Sequence, residues 1–335
     1  MSSKATRIAL DGLGGEAVPE ECTAAISEFF KENSKAIVCL ATTAEHFKKV
    51  KSNLPADQQT RLEWIEADCR VEFEESPVAA IKSKKQSSIS VATDALQNQH
   101  AQALVSFGHT GAAVAAARLK LGLLPGASTA GLAAIIPNRN GFGLLMDVGA
   151  NLSCKPEQLY QFALMADVYS QKSLGIEKPR IGLLNIGSEA TKGDTSLQAT
   201  RELFQKGDFH FLGNVEGGQV FDGAADVIVC SGMTGNMILK SAESLANMLF
   251  ESLKEKLEHS DSSWSNTKTR WVISSLASRH DPESRGASRL LGVRGLVLIG
   301  HGNARREAIC SALHRAAQEL ELGLQATMEA RLAQQ

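Results

Sequence analysis

Short apolar runs alternate with longer amphipathic segments along most of this chain. This alternation predicts a largely parallel sheet with helices on both faces, because buried parallel strands are apolar throughout and their crossover segments are helical. Nine runs are predicted strands: Thr6–Leu10, Ala36–Ala41, Ala103–Phe107, Gly131–Ile136, Gly143–Val148, Arg180–Ile186, Phe209–Gly213, Asp226–Cys230 and Gly295–Ile299. Eight segments are predicted helices: Pro19–Lys31, Val78–Lys82, Ile89–Gln97, Ala112–Leu121, Pro156–Leu174, Thr195–Gln205, Gly235–Glu258 and Ala304–Leu324. We therefore expect an α/β protein with a three-layer αβα architecture.

Length and charge limit the classes of function. A chain of 335 residues can bury one large core, and we expect residues 1–335 to form a single domain of two lobes. The net charge of -2 gives no electrostatic reason to expect nucleic acid or an anionic membrane as a partner. The first residues lack a signal-peptide layout, and no apolar run is long enough to span a membrane. We therefore expect a cytoplasmic protein, for which a peripheral membrane contact remains compatible.

Cysteine spacing and one polar region complete the outline. The six cysteines are scattered, without a CxxC pair or other metal-ligand spacing, so we expect reduced thiols, no metal and no cofactor. The region Glu258–Arg289 is rich in Ser, Lys, Arg and Asp and contains Trp264 and Trp271. We expect it to be a polar helical excursion from the main sheet.

Five predicted strands end in clusters of glycine, asparagine and aspartate. In open α/β sheets, ligands bind beyond the carboxyl ends of the strands. Glycine there lets backbone N–H groups approach an anion, and the following helix presents its positive end. The clusters are Asp11–Gly15, Ser106–Gly111, Asp147–Asn151, Asn185–Gly187 and Gly232–Asn236. Together they indicate a phosphate site, although any one such loop also serves merely to end a strand.

Several common motifs are absent from the sequence. It has no GxxxxGK[ST] of a P-loop, and the loop Asp11–Gly15 does not satisfy the GxGxxG of a dinucleotide site. It contains neither GxSxG nor HExxH, so an acyl-enzyme serine and a zinc protease site are unsupported. A hydride-transferring dehydrogenase therefore lacks a cofactor fingerprint.

Four stretches closely resemble the PlsX-type phosphate acyltransferases. They are MDVGANLSCKPEQLYQ (146–161), GLLNIGSEATKG (182–193), FLGNVEGGQVFDGAADVIVCSGMTGNMILK (211–240) and LLGVRGLVLIGHG (290–302), in the same order and spacing. The resemblance implies transfer of a long-chain acyl group from acyl carrier protein to inorganic phosphate, giving acyl phosphate for phospholipid synthesis. It also implies a fold like that of isocitrate and isopropylmalate dehydrogenases, usually as a homodimer.

Such a reaction requires hydrogen-bond donors rather than a nucleophilic side chain. Phosphate is itself a nucleophile near neutral pH, so the enzyme must fix it beside the thioester carbonyl and stabilise the developing oxyanion. We take Lys192 as the catalytic cation and Asn236 as a donor to the thioester oxygen. The alternatives are a solvated loop lysine for Lys192 and a helix cap for Asn236. For Lys240 we favour a surface position on the following helix.

The glycine-rich loops and their neighbours supply the remaining predicted substrate- and phosphate-binding residues. These are Asp11, Gly14, Gly15, His109, Thr110, Gly111, Asp147, Asn151, Asn185, Gly187, Asn214, Glu216 and Gly235. The second loop departs from the usual SAGNTGA of the family, because Phe107 replaces a small residue and His109 replaces an asparagine. His109 either donates a hydrogen bond to phosphate or only fills space.

Other departures concern partners. The acidic run before the lysine is thinned to Ser188–Thr191, and Arg285–Gly292 replaces the usual YGGAPLLG. The family's apolar hairpin corresponds here to a short polar region, which weakens the expectation of membrane contact. Six arginines are candidates for docking acidic acyl carrier protein, with a solvated basic face as the alternative: Arg279, Arg285, Arg289, Arg294, Arg305 and Arg306. Cys154 lacks an evident histidine partner and is not expected to be a nucleophile, and His301 is expected to be a turn residue.

Two other functions remain open at this point. A phosphate acetyl- or butyryltransferase would use a CoA thioester on a related fold. A diverged, non-catalytic homologue would bind acyl carrier protein or a phosphorylated ligand without turnover, as the changes at Phe107 and His109 suggest.

Overall fold

The computed structural model describes residues 5–16, 19–258 and 287–334. The strands are β1 (Arg7–Asp11), β2 (Ile37–Thr42), β3 (Leu62–Glu66), β4 (Ala103–Ser106), β5 (Gly131–Asn138), β6 (Gly141–Met146), β7 (Ile181–Asn185), β8 (Phe211–Glu216), β9 (Val227–Val229), β10 (Ser288–Leu291) and β11 (Leu296–Ile299). The α-helices are α1 (Pro19–Glu32), α2 (Ala44–Asn53), α3 (Pro77–Ser83), α4 (Ser88–Gln97), α5 (Thr110–Ala116), α6 (Pro156–Ser173), α7 (Thr195–Lys206), α8 (Gly232–Glu258), α9 (Arg306–Glu321) and α10 (Leu324–Leu332). The polar region expected at 258–289 lies, apart from its two ends, outside the described residues.

All described strands belong to one sheet, in the order β3-β2-β1-β4-β11-β10-β5-β6-β9-β7-β8. Three neighbouring pairs in the middle, β11–β10, β10–β5 and β5–β6, are antiparallel, and the other described pairs are parallel. The strands from β3 to β11 therefore run one way and those from β6 to β8 run the opposite way. We call the sheet end where β1, β4 and β11 finish rim A, and the opposite end, where β6, β7, β8 and β9 finish, rim B.

Helices cover both faces of the sheet, because successive strand residues point to opposite faces and both sets are apolar. In β1, Ile8 and Leu10 share a buried cluster with α1 and α9, whereas Ala9 shares one with α4 and α5. The first face carries α1, α2, α6, α7, α9 and α10, and the second carries α3, α4, α5 and α8. The three-layer αβα architecture predicted from the sequence is therefore confirmed.

Two helices on the second face run in opposite directions between the rims. Helix α5 begins at rim A with Thr110 and continues as the π-helical segment Ala117–Leu121. Helix α8 begins at rim B with Gly232, and its residue Glu243 contacts His301, which follows β11 at rim A. The start of α8 therefore lies at the rim towards which the α5 segment runs.

The predicted elements are present, with four additions. Each of the nine predicted strands lies within three residues of its expected bounds. The strands β3 and β10 and the helices α2 and α10 were not predicted. The expected helix Ala304–Leu324 corresponds to α9, which ends at Glu321, shortly before Gly323 with its positive φ of 62°. The largely parallel sheet is confirmed, but the reversal of strand direction in its middle was not anticipated. None of the described helices combines the length and apolar character needed to cross a bilayer.

Candidate functional site

The loop after β6 is organised around the buried carboxylate of Asp147. Oδ1 accepts hydrogen bonds from the backbone amides of Leu132 (2.9 Å), Gly149 (3.1 Å) and Ala150 (3.0 Å). Oδ2 accepts from the backbone amide and the side-chain amide of Asn151, at 2.8 Å and 2.7 Å. Burial raises the pKa of Asp147, and these hydrogen bonds oppose that shift. The loop amides that could have bound phosphate are thus occupied by the protein's own anion.

The first turn of α8 packs directly on this loop. A Cβ on Gly235 would collide with the carbonyl oxygen of Asp147, and one on Gly232 would collide with that of Asn151, so both positions require glycine. The Asn236 side chain lies beside the Gly149 backbone, 3.8 Å from where a Cβ would stand. The positive end of a 27-residue helix is thereby held at rim B, next to the side chain predicted to donate to the thioester oxygen.

Arg118 brings a cation to the same place and was not predicted from the sequence. Its Nη2 donates to Oγ1 of Thr129 (2.5 Å), to the carbonyl of Ala130 (2.8 Å) and to Oδ1 of Asn151 (2.6 Å). Its Nε is buried and has no hydrogen-bond partner among the described residues. Burial lowers the pKa of Arg118 and Asp147 opposes this, and a guanidinium remains charged in proteins in any case. The sequence signal was a pair of basic residues, Arg118 and Lys120, at the end of an otherwise apolar helix.

The loop between β7 and α7 carries Lys192, and polar side chains at the ends of β7 and β8 bind its backbone. The side-chain amide of Asn185 donates to the carbonyl of Lys192 at 3.1 Å, and that of Asn214 donates to the carbonyl of Glu189 at 2.8 Å. Oε1 of Glu216 accepts from the backbone amide of Ser188 at 3.0 Å. These three predicted site residues therefore shape the loop from its underside.

Lys192 itself lies on the outer side of this loop. Its side chain is 46% exposed, and its Nζ is 3.8 Å from Oε1 of Glu189, a weak surface ion pair. Gly187 permits the close fold of the loop, since a Cβ there would lie 2.9 Å from the lysine's Cγ. Two strand spacings, about 10 Å, separate the ends of β6 and β7. A substrate of modest size at rim B could therefore contact both Lys192 and the start of α8.

The remaining predicted residues lie at rim A. Oδ2 of Asp11 accepts from the Ser106 hydroxyl at 2.7 Å, and a Cβ on Gly14 would collide with the Asp11 carboxylate. Burial raises the pKa of Asp11, and the hydrogen bond from Ser106 opposes that shift. The amide of Glu16 donates to the carbonyl of Gly302 at 2.7 Å, which ties the loop to the end of β11.

His109 caps α5 at this rim. Its Nδ1 accepts from the backbone amide of Gly111 at 3.1 Å, which leaves Nε2 to carry the proton in the neutral ring. Its ring stacks on Phe73 with centroids 6.0 Å apart. Phe107 is buried in the core between the sheet and α1. The two unusual residues of the second loop are thus accommodated as a helix cap and a core residue.

A second charged group at rim A joins α8 to the end of β11. Oε1 of Glu243 is 3.1 Å from Nε2 of His301, and Oε2 is 3.0 Å from Nζ of Lys240, which also lies 2.8 Å from Nδ1 of His301. Burial would raise the pKa of Glu243, but the hydrogen bond from His301 and the charge of Lys240 lower it overall. Lys240 is half exposed, as predicted, and His301 is a paired residue rather than an isolated turn histidine.

The structure thus divides the predicted site between the two rims. Rim B brings together the loop and helix residues of the second half of the sheet: Asp147, Asn151, Asn185, Gly187, Lys192, Asn214, Glu216, Gly235 and Asn236. Rim A holds those of the first half: Asp11, Gly14, Gly15, His109, Thr110 and Gly111. The physical reason is the reversal of strand direction at β10 and β5, which places the carboxyl ends of the two halves at opposite ends of the sheet.

One arginine predicted to dock a partner is buried. Arg289 is 3% exposed and pairs with Glu319, so it is not available for docking a partner, in contrast to the sequence expectation.

Among the described residues, Cys39, Glu63 and His100 are close enough to hold a metal ion. The guanidinium of Arg7 already binds Glu63 and lies 3.0 Å from Nε2 of His100, so that position is taken by an internal cation.

Comparisons with known proteins agree on one family. The model of the family described as "Fatty acid synthesis protein" matches residues 6–326. A phosphate acyltransferase from Desulforudis audaxviator is 36% identical over 330 residues, covering 96% of this chain and 95% of the relative. One from Desulfitobacterium hafniense is 38% identical over 320 residues, covering 95% of both chains.

Solved structures with a similar fold are distant in sequence. A phosphotransacetylase from Streptococcus pyogenes superposes with a TM-score of 0.63 at 15% identity, covering 95% of both chains. A branched-chain phosphotransacylase from Enterococcus faecalis gives a TM-score of 0.59 at 13% identity, covering 95% of this chain and 99% of that one. At this level of identity the likeness establishes the fold alone.

Proposed function

Since this chain belongs to the PlsX family of phosphate acyltransferases, we propose that it transfers a fatty acyl group from acyl carrier protein to inorganic phosphate. A phosphate oxygen attacks the thioester carbonyl carbon and the carbon–sulfur bond breaks. The products are an acyl phosphate and the carrier's thiolate, which takes up a proton. The observation that carries this proposal is that Arg118 and Asn236 both contact the loop after β6 at rim B, the sheet end at which the Lys192 loop follows β7 two strands away.

Each of these groups has a place in the reaction. Arg118 offers a buried Nε–H without a partner among the described residues, a suitable donor for a phosphate oxygen. The Asn236 amide and the first turn of α8 supply donors for the oxyanion that forms on the thioester carbonyl. Lys192 supplies a mobile positive charge for the phosphate. The buried carboxylate of Asp147 fixes the loop that contacts Arg118 and Asn236.

The surface around rim B supports a protein-borne donor. Three large apolar side chains there are strongly exposed: Leu152 (81%), Ile186 (82%) and Met233 (56%). The exposed cation Lys155 lies in the loop of Leu152, after β6, and the exposed cation Lys192 lies in the loop of Ile186, after β7. An apolar patch with basic neighbours suits a small acidic protein such as acyl carrier protein. A free CoA thioester would not require such a patch.

A comparison of donors tests the function. Purified protein is mixed with labelled phosphate and with either palmitoyl-acyl carrier protein or palmitoyl-CoA, and the label that enters acyl phosphate is measured. We expect product with the carrier protein and at least tenfold less with CoA. A preference for CoA would instead identify a phosphotransacylase, and phosphate binding without product from either donor would identify a non-catalytic homologue.

Two lysine substitutions, one in the site and one outside it, test the role of Lys192. Lys192→Ala should lower the rate at least a hundredfold, which is the usual cost of losing one group that stabilises developing charge. Lys206→Ala, at the last turn of α7, is the matched control and should leave the rate unchanged. Full activity of the Lys192→Ala protein would exclude Lys192 from the mechanism.

A further inference from the structure

A long groove lies between α8 and the rim A ends of β5 and β11. Its volume is about 1020 Å³, within the range of sites that enclose a sizeable organic ligand. The sheet contributes Ala134 and Ile136 of β5, and α8 contributes Ile238, Ala242 and Ala246. The groove therefore has two facing walls and is more than an exposed apolar face.

The wall that α8 presents to the groove is mainly apolar. Glu243 is the acidic residue of its α8 wall, and it is paired with Lys240 and His301. At the far end the α8 wall continues with Leu249 and Leu253. A ligand lying along this wall would meet hydrocarbon over several turns of the helix.

The groove begins at the candidate catalytic turn. Thr234 lines its start and lies two residues before Asn236 in the first turn of α8. From Thr234 to Leu253 the helix rises by about 28 Å, which is longer than an extended palmitoyl chain. One end of the groove thus reaches the first turn of α8, the turn that also carries Asn236, and the other end leads away from it along an apolar wall.

We propose that this groove holds the acyl chain of the donor, with the reacting carbonyl at Thr234 and the methyl end towards Leu249 and Leu253. The inference rests on the proposed function and adds to it the position of the chain and the residues that limit its length. Ala242 and Ala246 lie one helical turn apart on the same wall, so each marks a different distance along the groove from the proposed carbonyl position. They lie about 12 and 18 Å along the helix from Thr234.

Filling the groove at these two alanines tests the inference. Ala246→Phe should block the outer part, and Ala242→Phe should block it nearer the carbonyl. Each methylene kept out of an apolar site costs about fourfold in binding, so a loss of several methylenes is readily measured. We expect Ala246→Phe to lower the ratio of kcat/KM for palmitoyl over octanoyl donor at least tenfold. Ala242→Phe should also lower the octanoyl value.

The matched control is Ser244→Phe, which adds the same ring to an exposed α8 position outside the groove lining. It should leave the palmitoyl-to-octanoyl ratio unchanged. Retained octanoyl turnover by Ala246→Phe shows that this variant is folded. An unchanged ratio in both groove variants would overturn the proposal. So would an equal loss for all chain lengths accompanied by a change in sedimentation, which would show that a second copy of the chain covers the groove.

A binding measurement separates this inference from the proposed function. Displacement of a fluorescent fatty acid by palmitate reports on the groove without any turnover. If the wild-type chain forms no acyl phosphate but binds the probe, and Ala246→Phe weakens that binding at least tenfold, the groove assignment stands and the proposed function fails. If the enzyme is active and the probe binds equally to both proteins, the groove assignment fails alone.

Discussion

Nη2 of Arg118 donates to Oδ1 of Asn151 over 2.6 Å, while the side-chain amide of the same asparagine donates to Oδ2 of Asp147 over 2.7 Å. Asn151 therefore joins a guanidinium to a buried carboxylate without direct contact between the two charges. The guanidinium is held in place with one buried N–H still unpaired among the described residues. This arrangement orients a cation towards rim B in advance of any ligand.

Arg118→Met should remove this oriented cation and keep much of the side chain's bulk. We expect kcat/KM for phosphate to fall about a hundredfold, mainly through a higher KM for phosphate. Arg118→Lys should recover only part of the loss, because a lysine cannot reproduce the fixed geometry of a guanidinium. Lys172→Met, an exposed change in α6, is the control. Wild-type KM for phosphate in Arg118→Met would contradict the role.

Cys154 should be dispensable for catalysis. Burial raises the pKa of its thiol to about 11, and Asp147 adds to that shift, so the thiol is protonated at pH 8. A protonated thiol is a poor nucleophile. We expect Cys154→Ser to keep more than half of the wild-type rate, and mass spectrometry of quenched reactions to show no acylated cysteine. An acyl adduct on Cys154 would require a different mechanism.

The ion pair between Arg180 and Asp226 should make stability depend on pH. Asp226 accepts from Nε and Nη2 of Arg180, each at 2.9 Å. Burial alone would raise the pKa of Asp226, but the hydrogen bonds from Arg180 outweigh it and hold the pKa below its ordinary value of 3.8. A folded-state pKa below the unfolded one gives stability that is present above the unfolded value and is lost as pH falls through the folded value.

Asp226→Asn should therefore destabilise the protein by about 1 to 2 kcal/mol at pH 7 and by much less at pH 3. Urea unfolding at the two pH values measures the difference. Asp57→Asn, at an exposed position, should show no such pH-dependent change. An equal effect of Asp226→Asn at both pH values would show that the pair contributes through shape and not through charge.

The buried group around Glu319 should be the most sensitive point for stability away from the site. Glu319 is 3.1 Å from Nε of Arg289, accepts from the Tyr169 hydroxyl at 2.6 Å and accepts from Arg315 at 2.9 Å. Removing the carboxylate leaves two buried guanidinium groups without their anion, which typically costs about 3 to 5 kcal/mol. Chemical denaturation of Glu319→Ala measures this cost. Glu321→Ala, exposed on the same helix, should stay within about 0.5 kcal/mol of wild type.

Much of the fold could be read from the sequence, because nine buried strands are continuous apolar runs. The two missed strands have local reasons. β3 reads Leu-Glu-Trp-Ile-Glu and lies at the edge of the sheet, so only part of it is buried. β10 contains Arg289, which looks like a surface residue until Glu319, thirty positions later, is placed against it. Such pairing over a long sequence distance leaves no periodic pattern.

The candidate site was harder to predict than the fold. Its strand-end loops were found, but their division between two rims depends on the antiparallel strands β10 and β5, and strand direction leaves no mark on composition. Asp147 and Asp11 look like ligand-binding acids in sequence, whereas Asp147 binds the amides of its own loop and Asp11 accepts from Ser106 at the end of β4. Arg118 was missed because its partners Thr129 and Asn151 are 11 and 33 residues away.

The close contact of Gly235 with the Asp147 carbonyl has a consequence for evolution and engineering of this enzyme. Any larger residue at position 235 would collide with the Asp147 carbonyl and force the start of α8 away from the loop after β6. The donors proposed for the thioester at its start and the groove along its side would then be displaced together, because both belong to one continuous helix. The preference for acyl-chain length should therefore evolve through side chains such as Ala242 and Ala246. The proposed position of the acyl carbonyl, at the start of α8, would stay fixed because Gly235 fixes that end of the helix.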